Sequence, residues 1–538
     1  MPDAACQNVS PTVDHPSVRH LTRSATHVGG ATFVSRLLGF ARDLLLARYF
    51  GTAAAAEAFV VAFRIPNLFR ELVAEGAASA AFVPTLAATH TVKDRRYFGH
   101  VVNVLVTVVA VLLGVAVTVA VLVAPWLVRL LAPGFLRDPE KLQLTIRLTR
   151  LLLPYLWAMS IVAVTTSVLH TLQRFRAPAW NPALLNVAMI IACLVWVPRV
   201  SPTAGMTAVA ISVVVAGLAQ ILVNELSLWR SGLRYRPEWN WRLEELRRVG
   251  ELLMPRLFGA AVYQLGVLLD TVMASFAVVV GAGGVAALYY ANRLLQFPLG
   301  LFGISMATVS LPTLAQQASR GELHAFKTTV GIALRSVTTV MLPATVGLFL
   351  LATPIVQLLF QHGAFDAAST RMTAWALQWC VVGLVAFAVT KIFVNALYAL
   401  HDTRTPVRWA AIGLGLNVVF NVALMWPMGI GGLALGTSLA ACIECVGLWR
   451  SLERRVGALD RRAFVLTCRR IGGASALMGL WVWMLWHAGA PHVGHSRLLA
   501  LGWLFATMCS SIAVFIGCAR WFNADEIRWL LTRHSPRA

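Results

Sequence analysis

Residues 101–123 read VVNVLVTVVAVLLGVAVTVAVLV, twenty-three positions without one ionisable side chain. Wound as a helix, that run spans about 35 Å, enough to cross the roughly 30 Å hydrocarbon core of a bilayer. A barrel strand would alternate polar and apolar positions over about ten residues, and this run is too long and too uniformly apolar for that. The stretch therefore points to helices that satisfy their own backbone hydrogen bonds in lipid. Working outward, fourteen such stretches can be placed: 25–50, 56–87, 100–132, 143–172, 180–198, 205–229, 250–280, 284–315, 329–360, 370–400, 407–427, 431–449, 464–488 and 497–521. The predicted fold is an all-α polytopic membrane protein with 14 transmembrane helices.

Composition agrees. Of 538 residues, 58% are hydrophobic and only 13% charged, with a mean hydropathy of +0.72. A soluble domain carries about a quarter charged residues, so a soluble enzyme is excluded, and so is a disordered or fibrous chain. Eight cysteines are scattered, and only Cys442 and Cys445 form a C-x-x-C, inside an apolar run. A zinc or redox motif needs accessible ligands, so the expectation is inert, lipid-buried thiols and no metal centre. Residues 1–23 precede the first apolar run without a cleavage-site pattern, which predicts a short cytoplasmic tail rather than a removed signal peptide.

The net charge of +22 suggests a polyanionic partner until the charges are placed. Alternate loops on one side carry Lys93, Arg95 and Arg96; Arg174 and Arg176; a run from Arg230 to Arg248; Arg320 and Lys327; Arg404 and Arg408; and a run from Arg450 to Arg470. Opposite loops hold little beyond Arg137, Lys141, Arg199, Arg371 and Arg497. Basic residues are retained inside, so both termini are expected in the cytoplasm. Most of the +22 is topology, and nucleic acid is not an expected partner, because the basic loops lack interleaved aromatic motifs.

The chain also repeats itself. VPTLA at 83–87 matches LPTLA at 311–315, LQRFRAP at 172–178 matches LHDTRTP at 400–406, and Leu130-Leu131 matches Leu358-Leu359, all displaced by 228 residues. Six spans per half make the repeats parallel, one of the two repeat patterns of secondary transporters. The expected division is a tail over 1–23, a six-helix lobe over 24–230, an amphipathic cytoplasmic linker over 231–249, a second six-helix lobe over 250–452, two additional transmembrane helices over 453–521, and a cytoplasmic tail over 522–538.

Ionisable residues inside spans are costly and face a bundle interior or a wet cavity. The first span holds SRLLGFARD with Arg36, Arg42 and Asp43; the second holds FRIPNLFRELVAEG with Arg64, Asn67, Arg70, Glu71 and Glu75 around Pro66; the eighth holds YYANRLLQFP with Arg293. Two accounts stand. An arginine can pair internally, as Arg42 with Glu71, and glue two helices. Alternatively, guanidinium groups in excess of nearby carboxylates take an anionic ligand, for which Arg offers a planar, permanently charged fork. Several forks converging from both halves suit a pyrophosphate. Pro66, Pro84, Pro255, Pro298, Pro312 and Pro354 either hinge the spans or kink them statically. A second polar group comprises Asp270, Asn417, Asn421 and Thr437. It suits either a small hard cation or interhelical hydrogen bonding. Lys391 and Glu444 can pair or relay protons.

At SRLLGFARD, FRIPNLFRELVAEGAASAAFVPTLA, YYANRLLQFPLG and the LHDTRTP turn, the chain resembles the MurJ (MviN) lipid II flippases. These belong to the multidrug/oligosaccharidyl-lipid/polysaccharide exporter superfamily. The resemblance runs over essentially all fourteen helices. It implies movement of undecaprenyl-diphosphate-linked peptidoglycan precursor from the inner to the outer leaflet of the bacterial inner membrane by alternating access. It implies diphosphate-binding roles for Arg36, Arg42, Arg70 and Arg293, with Asp43, Glu57, Arg64, Asn67 and Glu75 supporting or gating. Some members hold sodium at a cluster resembling Asp270, Asn417, Asn421 and Thr437, and position 421 is Asn where a carboxylate can occur. Implied partners are lipid II and membrane lipids; the implied protein is a monomer without enzymatic chemistry or cofactor, coupled to membrane potential or a monovalent ion. Two rival readings fit the residues less well. A drug or cation exporter would want carboxylates in place of surplus Arg, and a membrane enzyme would need a catalytic group on a sizeable outer loop.

Overall fold

A computed structural model describes residues 15–72, 78–493, 497–523 and 526. Within these, the side chains at 15–27, 69–72, 78–80, 255–263, 490–493 and 497 lie outside the description. The described backbone is helical with no strand. The first half runs α1 (His15–Phe50), α2 (Ala54–Leu72), α3 (Ala78–Val92), α4 (Arg95–Leu122), α5 (Ala124–Leu131), α6 (Pro139–Thr171), α7 (Arg176–Val195) and α8 (Pro202–Arg230). The second runs α9 (Glu244–Ala274), α10 (Ala277–Val280), α11 (Gly284–Pro298), a π-helical turn over Leu299–Ile304, α12 (Ser305–Ser319), α13 (Leu323–Leu350), α14 (Ala352–Phe360), α15 (Ala367–Val381), α16 (Leu384–Ala399), α17 (Arg404–Met428) and α18 (Ile430–Val456). Two helices follow, α19 (Arg461–Val493) and α20 (Arg497–Trp521).

Each of the fourteen apolar stretches falls on one of these helices or on a consecutive pair. Among the described residues nine helices are long and apolar enough to cross a membrane, or ten if α15 and α16, bent by 45°, count as one span. Helices α1 and α2 are not among these nine. Arg36, Arg42, Asp43 and Arg48, and Glu57, Arg64 and Arg70, lower their hydropathy.

The duplication is written into the backbone. Helices α4, α5, α6, α7 and α8 begin at 95, 124, 139, 176 and 202, and α13, α14, α15, α17 and α18 begin 228 residues later, at 323, 352, 367, 404 and 430. The caps repeat as well. Asp138 accepts from the Lys141 N–H (3.1 Å) at the start of α6, and Asp366 accepts from the Ser369 N–H (2.7 Å) at the start of α15. Such caps satisfy backbone donors that a helix start leaves unpaired. Gln173 and His401 both adopt the left-handed conformation, with φ of 57° and 59°, in the matching turns LQRFRAP and LHDTRTP. Each is followed by the same return bond, Arg174 N–H to Leu169 O (2.7 Å) and Asp402 N–H to Leu397 O (2.9 Å).

Two expectations need correcting. Helix α1 begins at His15, reaching into the stretch read as a tail, because Pro16 sits in its first turn, where a missing N–H is harmless. The linker expected over 231–249 is shorter than that. Residues 231–243 are irregular and α9 starts at Glu244. Side chains on α4 explain this, since they hold the linker extended. Asn103 donates to Glu238 (2.7 Å) and accepts from the Arg236 N–H (3.2 Å), His100 pairs with Glu238, and Thr107 bonds the Tyr235 hydroxyl (3.0 Å). These bonds push the Glu238 carboxyl below its usual range, the Asn103 and His100 hydrogen bonds being the main causes. Trp239 and Trp241 stack on each other in the open, with centroids 6.1 Å apart.

Among the prolines, Pro84 and Pro312 lie inside α3 and α12, Pro298 ends α11 just before the π-helical turn, and Pro354 falls in the first turn of α14. There it owes no intrahelical bond and breaks nothing. The side chain of Pro255 lies outside the described residues. One continuous core runs from Leu46 and Phe59 in the first half through Tyr155 and Tyr290 to Phe393 and Leu448 in the second. The outer faces of α4 and α8 show Leu112, Val115, Val119, Leu218 and Leu222, as expected of surfaces solvated by lipid.

Candidate functional site

Where α1, α7 and α11 meet, three polar side chains close on one carboxylate. Asp43, 2% exposed, accepts from Arg42 Nε (3.0 Å) and Nη2 (2.7 Å) and from the Tyr289 hydroxyl (3.0 Å) through Oδ1. Its other oxygen faces Arg293 Nε at 2.9 Å. Arg42, 4% exposed, donates further to Asn186 Oδ1 (2.9 Å), and Asn186 is itself fixed by donating to Ser35 O (2.9 Å). Arg293 also lies over the Tyr289 ring, 5.4 Å from its centroid, and is about a third exposed. Two guanidinium groups, one from each half of the chain, thus share a single carboxylate. Their helices impose this. Arg42 and Asp43 are neighbours near the end of α1, and Tyr289 and Arg293 are one turn apart on α11, so both land on one face.

Asp43, the neighbouring residue, holds both Nε and Nη2 of Arg42, and the Glu71 side chain weighed as its internal partner lies outside the described residues. Arg36 is exposed, and its Nη1 rests against the π-helical turn, 3.4 Å from where a Cβ on Gly300 would sit. Arg64 is half-buried, donates to Thr271 Oγ1 (3.1 Å), and its charge acts on Asp270. Asn67 follows it one turn on, also half-buried. The backbone of Arg70 lies in α2, but its side chain and that of Glu71 lie outside the described residues, as does Glu75 altogether.

Glu57 sits in the first turn of α2 and joins the two halves. It is 2% exposed, ion-pairs with the equally buried Lys141, and accepts the Val285 N–H (2.9 Å) at the start of α11. Further links surround it. Thr52 bonds Ser369 (2.8 Å), the Ala364 N–H donates to Arg48 O (2.8 Å), and the Gly134 N–H donates to Ser275 Oγ (3.0 Å). Gly51, at φ +54°, packs so closely that a Cβ would lie 2.3 Å from Ala364 O. No side chain fits there, and glycine alone tolerates both the conformation and the approach.

The residues of the second polar group hydrogen-bond to one another. Asp270 Oδ1 accepts from Asn421 Nδ2 (2.9 Å) and lies 3.4 Å from Thr437 Oγ1. Asn417 donates to Thr437 (2.9 Å) and accepts from Asn421 (3.2 Å). Asn421 Oδ1 is buried and without a hydrogen-bond partner among the described residues, which leaves one acceptor oxygen beside the Asp270 carboxylate. The duplication equates position 42 with 270 and 43 with 271, so Arg42-Asp43 on α1 corresponds to Asp270-Thr271 on α9. Each contacts asparagines from the corresponding partner helix, α7 or α17. Lys391 on α16 and Glu444 on α18 lie within electrostatic reach of each other.

Sequence reading missed Asn186, Tyr289 and Lys141. Tyr289 had a signal, its spacing of four from Arg293. Asn186 is a single amide in an apolar run, and Lys141 looked like a loop charge.

Comparison with known proteins places this geometry. The family model described as "Lipid II flippase MurJ" matches residues 46–502. The chain is 34% identical over 478 residues to a probable lipid II flippase MurJ of Vibrio cholerae, covering 87% of this chain and 90% of the relative. It is likewise 34% identical over 474 residues to the lipid II flippase MurJ of Burkholderia cenocepacia, covering 86% and 90%. Its fold matches a solved lipid II flippase MurJ in an inward closed conformation with a TM-score of 0.77, at 24% identity over 93% of this chain and 99% of that one. An inward-facing multidrug resistance MATE transporter shares the fold at TM-score 0.64 and 14% identity, over 79% of this chain and 96% of that one. With its family signature running through both halves, the chain belongs to the MurJ lipid II flippase family.

Proposed function

We propose that this protein flips lipid II, the undecaprenyl-diphosphate-linked peptidoglycan precursor, from the inner to the outer leaflet of a bacterial cytoplasmic membrane. The observation that carries the reading is the pair Arg42 and Arg293, drawn from opposite halves onto the one carboxylate of Asp43. In lipid an arginine pair needs negative charge, and Asp43 supplies only part of it. A diphosphate brings more charge and more acceptor oxygens, and it competes for the same donors. Asp43 then acts as a resident counter-ion that keeps the arginines folded inward until substrate arrives. Arg36, exposed on the same helix, extends the cationic surface along the path.

The two six-helix lobes, 24–230 and 250–452, rock about this site, with 231–249 as their cytoplasmic connection and 453–521 as an accessory pair. The contacts around Glu57, Thr52, Gly51 and Gly134 hold the outer side shut, so substrate enters from inside. The prenyl chain stays in lipid while the head group crosses, and no bond is made or broken. The protein acts as a monomer with both termini in the cytoplasm.

Energy for the outward step comes in part from the membrane potential. Moving negative charge out of an inside-negative cell gains about 2.3 kcal/mol per charge per 100 mV. The Asp270 cluster, with the acceptor oxygens of Asn417, Asn421 and Thr437, is the place where a monovalent cation would bind in the second half. Flipping into proteoliposomes that ignores imposed voltage would remove the potential from this account.

The decisive test substitutes Arg42, Arg70 or Arg293 by Ala and follows precursor accumulation together with labelling of surface-exposed lipid II. Loss of flipping is expected in each variant. Wild-type flipping in all three would sink the proposal.

A further inference from the structure

Far from the arginine network in the fold, the start of α13, the end of α18 and the start of α19 enclose a cavity of about 320 Å³. It lies on the side that the arginine-rich loops assign to the cytoplasm. One wall is a single face of α13, where His324, Lys327 and Arg335 recur at near-helical spacing. Gly331 stands between them and leaves the wall open, since no atom lies within 4 Å of where its Cβ would sit. The opposite wall is aromatic, made by Trp449 and Phe464, which meet edge to face at 4.9 Å.

The charges do not cancel within this cavity. Glu453, near its rim, is held by Arg461 and by the Leu459 N–H (3.2 Å). Asp460 caps α19 by accepting from the Ala463 N–H (2.9 Å). Arg335 donates from Nε to Gly331 O (3.3 Å) and lies 3.8 Å from Glu526. Lys327 is half-buried, and among the described residues its ammonium makes no hydrogen bond or ion pair. Its Nζ projects toward the Gly457 turn, 3.7 Å from where a Cβ there would sit. A half-buried ammonium beside a second cation, in a cavity floored by aromatic rings, is chemistry for one phosphate group with a short apolar attachment. The volume is at the small end of ligand pockets, so a head group fits and a whole nucleotide-sized ligand does not.

We propose that this cavity binds a phosphate group, either the head group of an anionic phospholipid or a free phosphate, and thereby ties α19 to the second half of the transporter. It is separate from the site at Asp43 and needs no part of it. Two probes distinguish the sources in the full-length protein. Native mass spectrometry after release from nanodiscs of phosphatidylcholine with phosphatidylglycerol reads retained lipid. Thermal denaturation in neutral detergent, titrated with sodium phosphate against sodium chloride at matched ionic strength, reads free phosphate.

Wild-type protein is expected to respond to at least one probe, and Lys327→Gln to lose at least tenfold in apparent affinity. Gly331→Leu fills the cavity without removing a charge and should lose the response equally, while melting as wild type in chloride. Retained phosphatidylglycerol without a phosphate response assigns a lipid head group; a phosphate response alone assigns the free anion. If both variants match wild type with both probes, the proposal is overturned.

Discussion

Replacing Asp43 by Asn tests the counter-ion role directly. The carboxylate is 2% exposed and Arg42 4% exposed, so their pairing is made in a dry environment. Removing one member of such a pair leaves an uncompensated buried charge, at a cost of about 3–5 kcal/mol. Asparagine keeps one acceptor oxygen for Arg42 or Tyr289 and returns about 1 kcal/mol as a neutral hydrogen bond. Arg293 is about a third exposed, and its share is screened by solvent and adds little. The net loss is about 2–4 kcal/mol, or roughly 30-fold in the folding equilibrium at the low end. Thermal melts of the purified protein in detergent should show the variant several degrees below wild type. Inorganic pyrophosphate should recover much of that loss, because it supplies the charge that Asp43 gave up. A variant melting as wild type would refute the reasoning. So would recovery that sodium chloride matches at the same ionic strength.

Other outcomes follow from neighbouring contacts. Glu57→Gln removes the charge that Lys141 pairs with and weakens the link to the Val285 N–H; a cysteine placed at Thr52 should then label several-fold faster from outside. Gly436→Ala puts a Cβ 2.2 Å from Asn421 Oδ1. It should push that amide off Asp270, costing about 1–3 kcal/mol in stability, seen as a lowered melting temperature. The linker should loosen in acid. Glu238 has a folded-state pKa below its unfolded value, so its contribution is present above the unfolded value and is lost as pH falls through the folded one. Hydrogen-exchange protection across 231–243, corrected for the intrinsic pH dependence of amide exchange, should therefore fall as pH drops below the ordinary carboxylate range, and Glu238→Gln should show the lowered protection at neutral pH as well.

How much of this could be read from residues alone depended on the distance over which each property acts. Apolar runs such as 101–123 are local, and helices stand where those signals put them. The 228-residue repeat was visible in three short matches, and five helix starts and two left-handed turn residues obey it. Charged residues inside α1, α2 and α11 were legible because lipid makes them conspicuous. Their partners were not. Arg42 finds Asn186 across 144 positions and Tyr289 across 247, pairings that only tertiary packing creates. The linker's partners were hidden for a related reason: Asn103, His100 and Thr107 on α4, more than a hundred residues away, take up its hydrogen-bonding groups. The Asp270 cluster was grouped from polar residues inside spans, and those four side chains hydrogen-bond to one another.

The correspondence of Arg42-Asp43 with Asp270-Thr271 bears on how this molecule could have arisen. A tandem duplication starts with twin halves, so these two positions once held the same residues. Twin arginines would have left the second half with a buried cation facing asparagines, and twin aspartates would have turned anions away from the first. The present chain has broken its own symmetry at that pair, one half keeping a cation and the other an anion. A single change of Asp270 to Arg does not undo this, because Thr271 stands where the first half keeps its carboxylate. The two halves are copies in shape and complements in charge, and neither could stand in for the other.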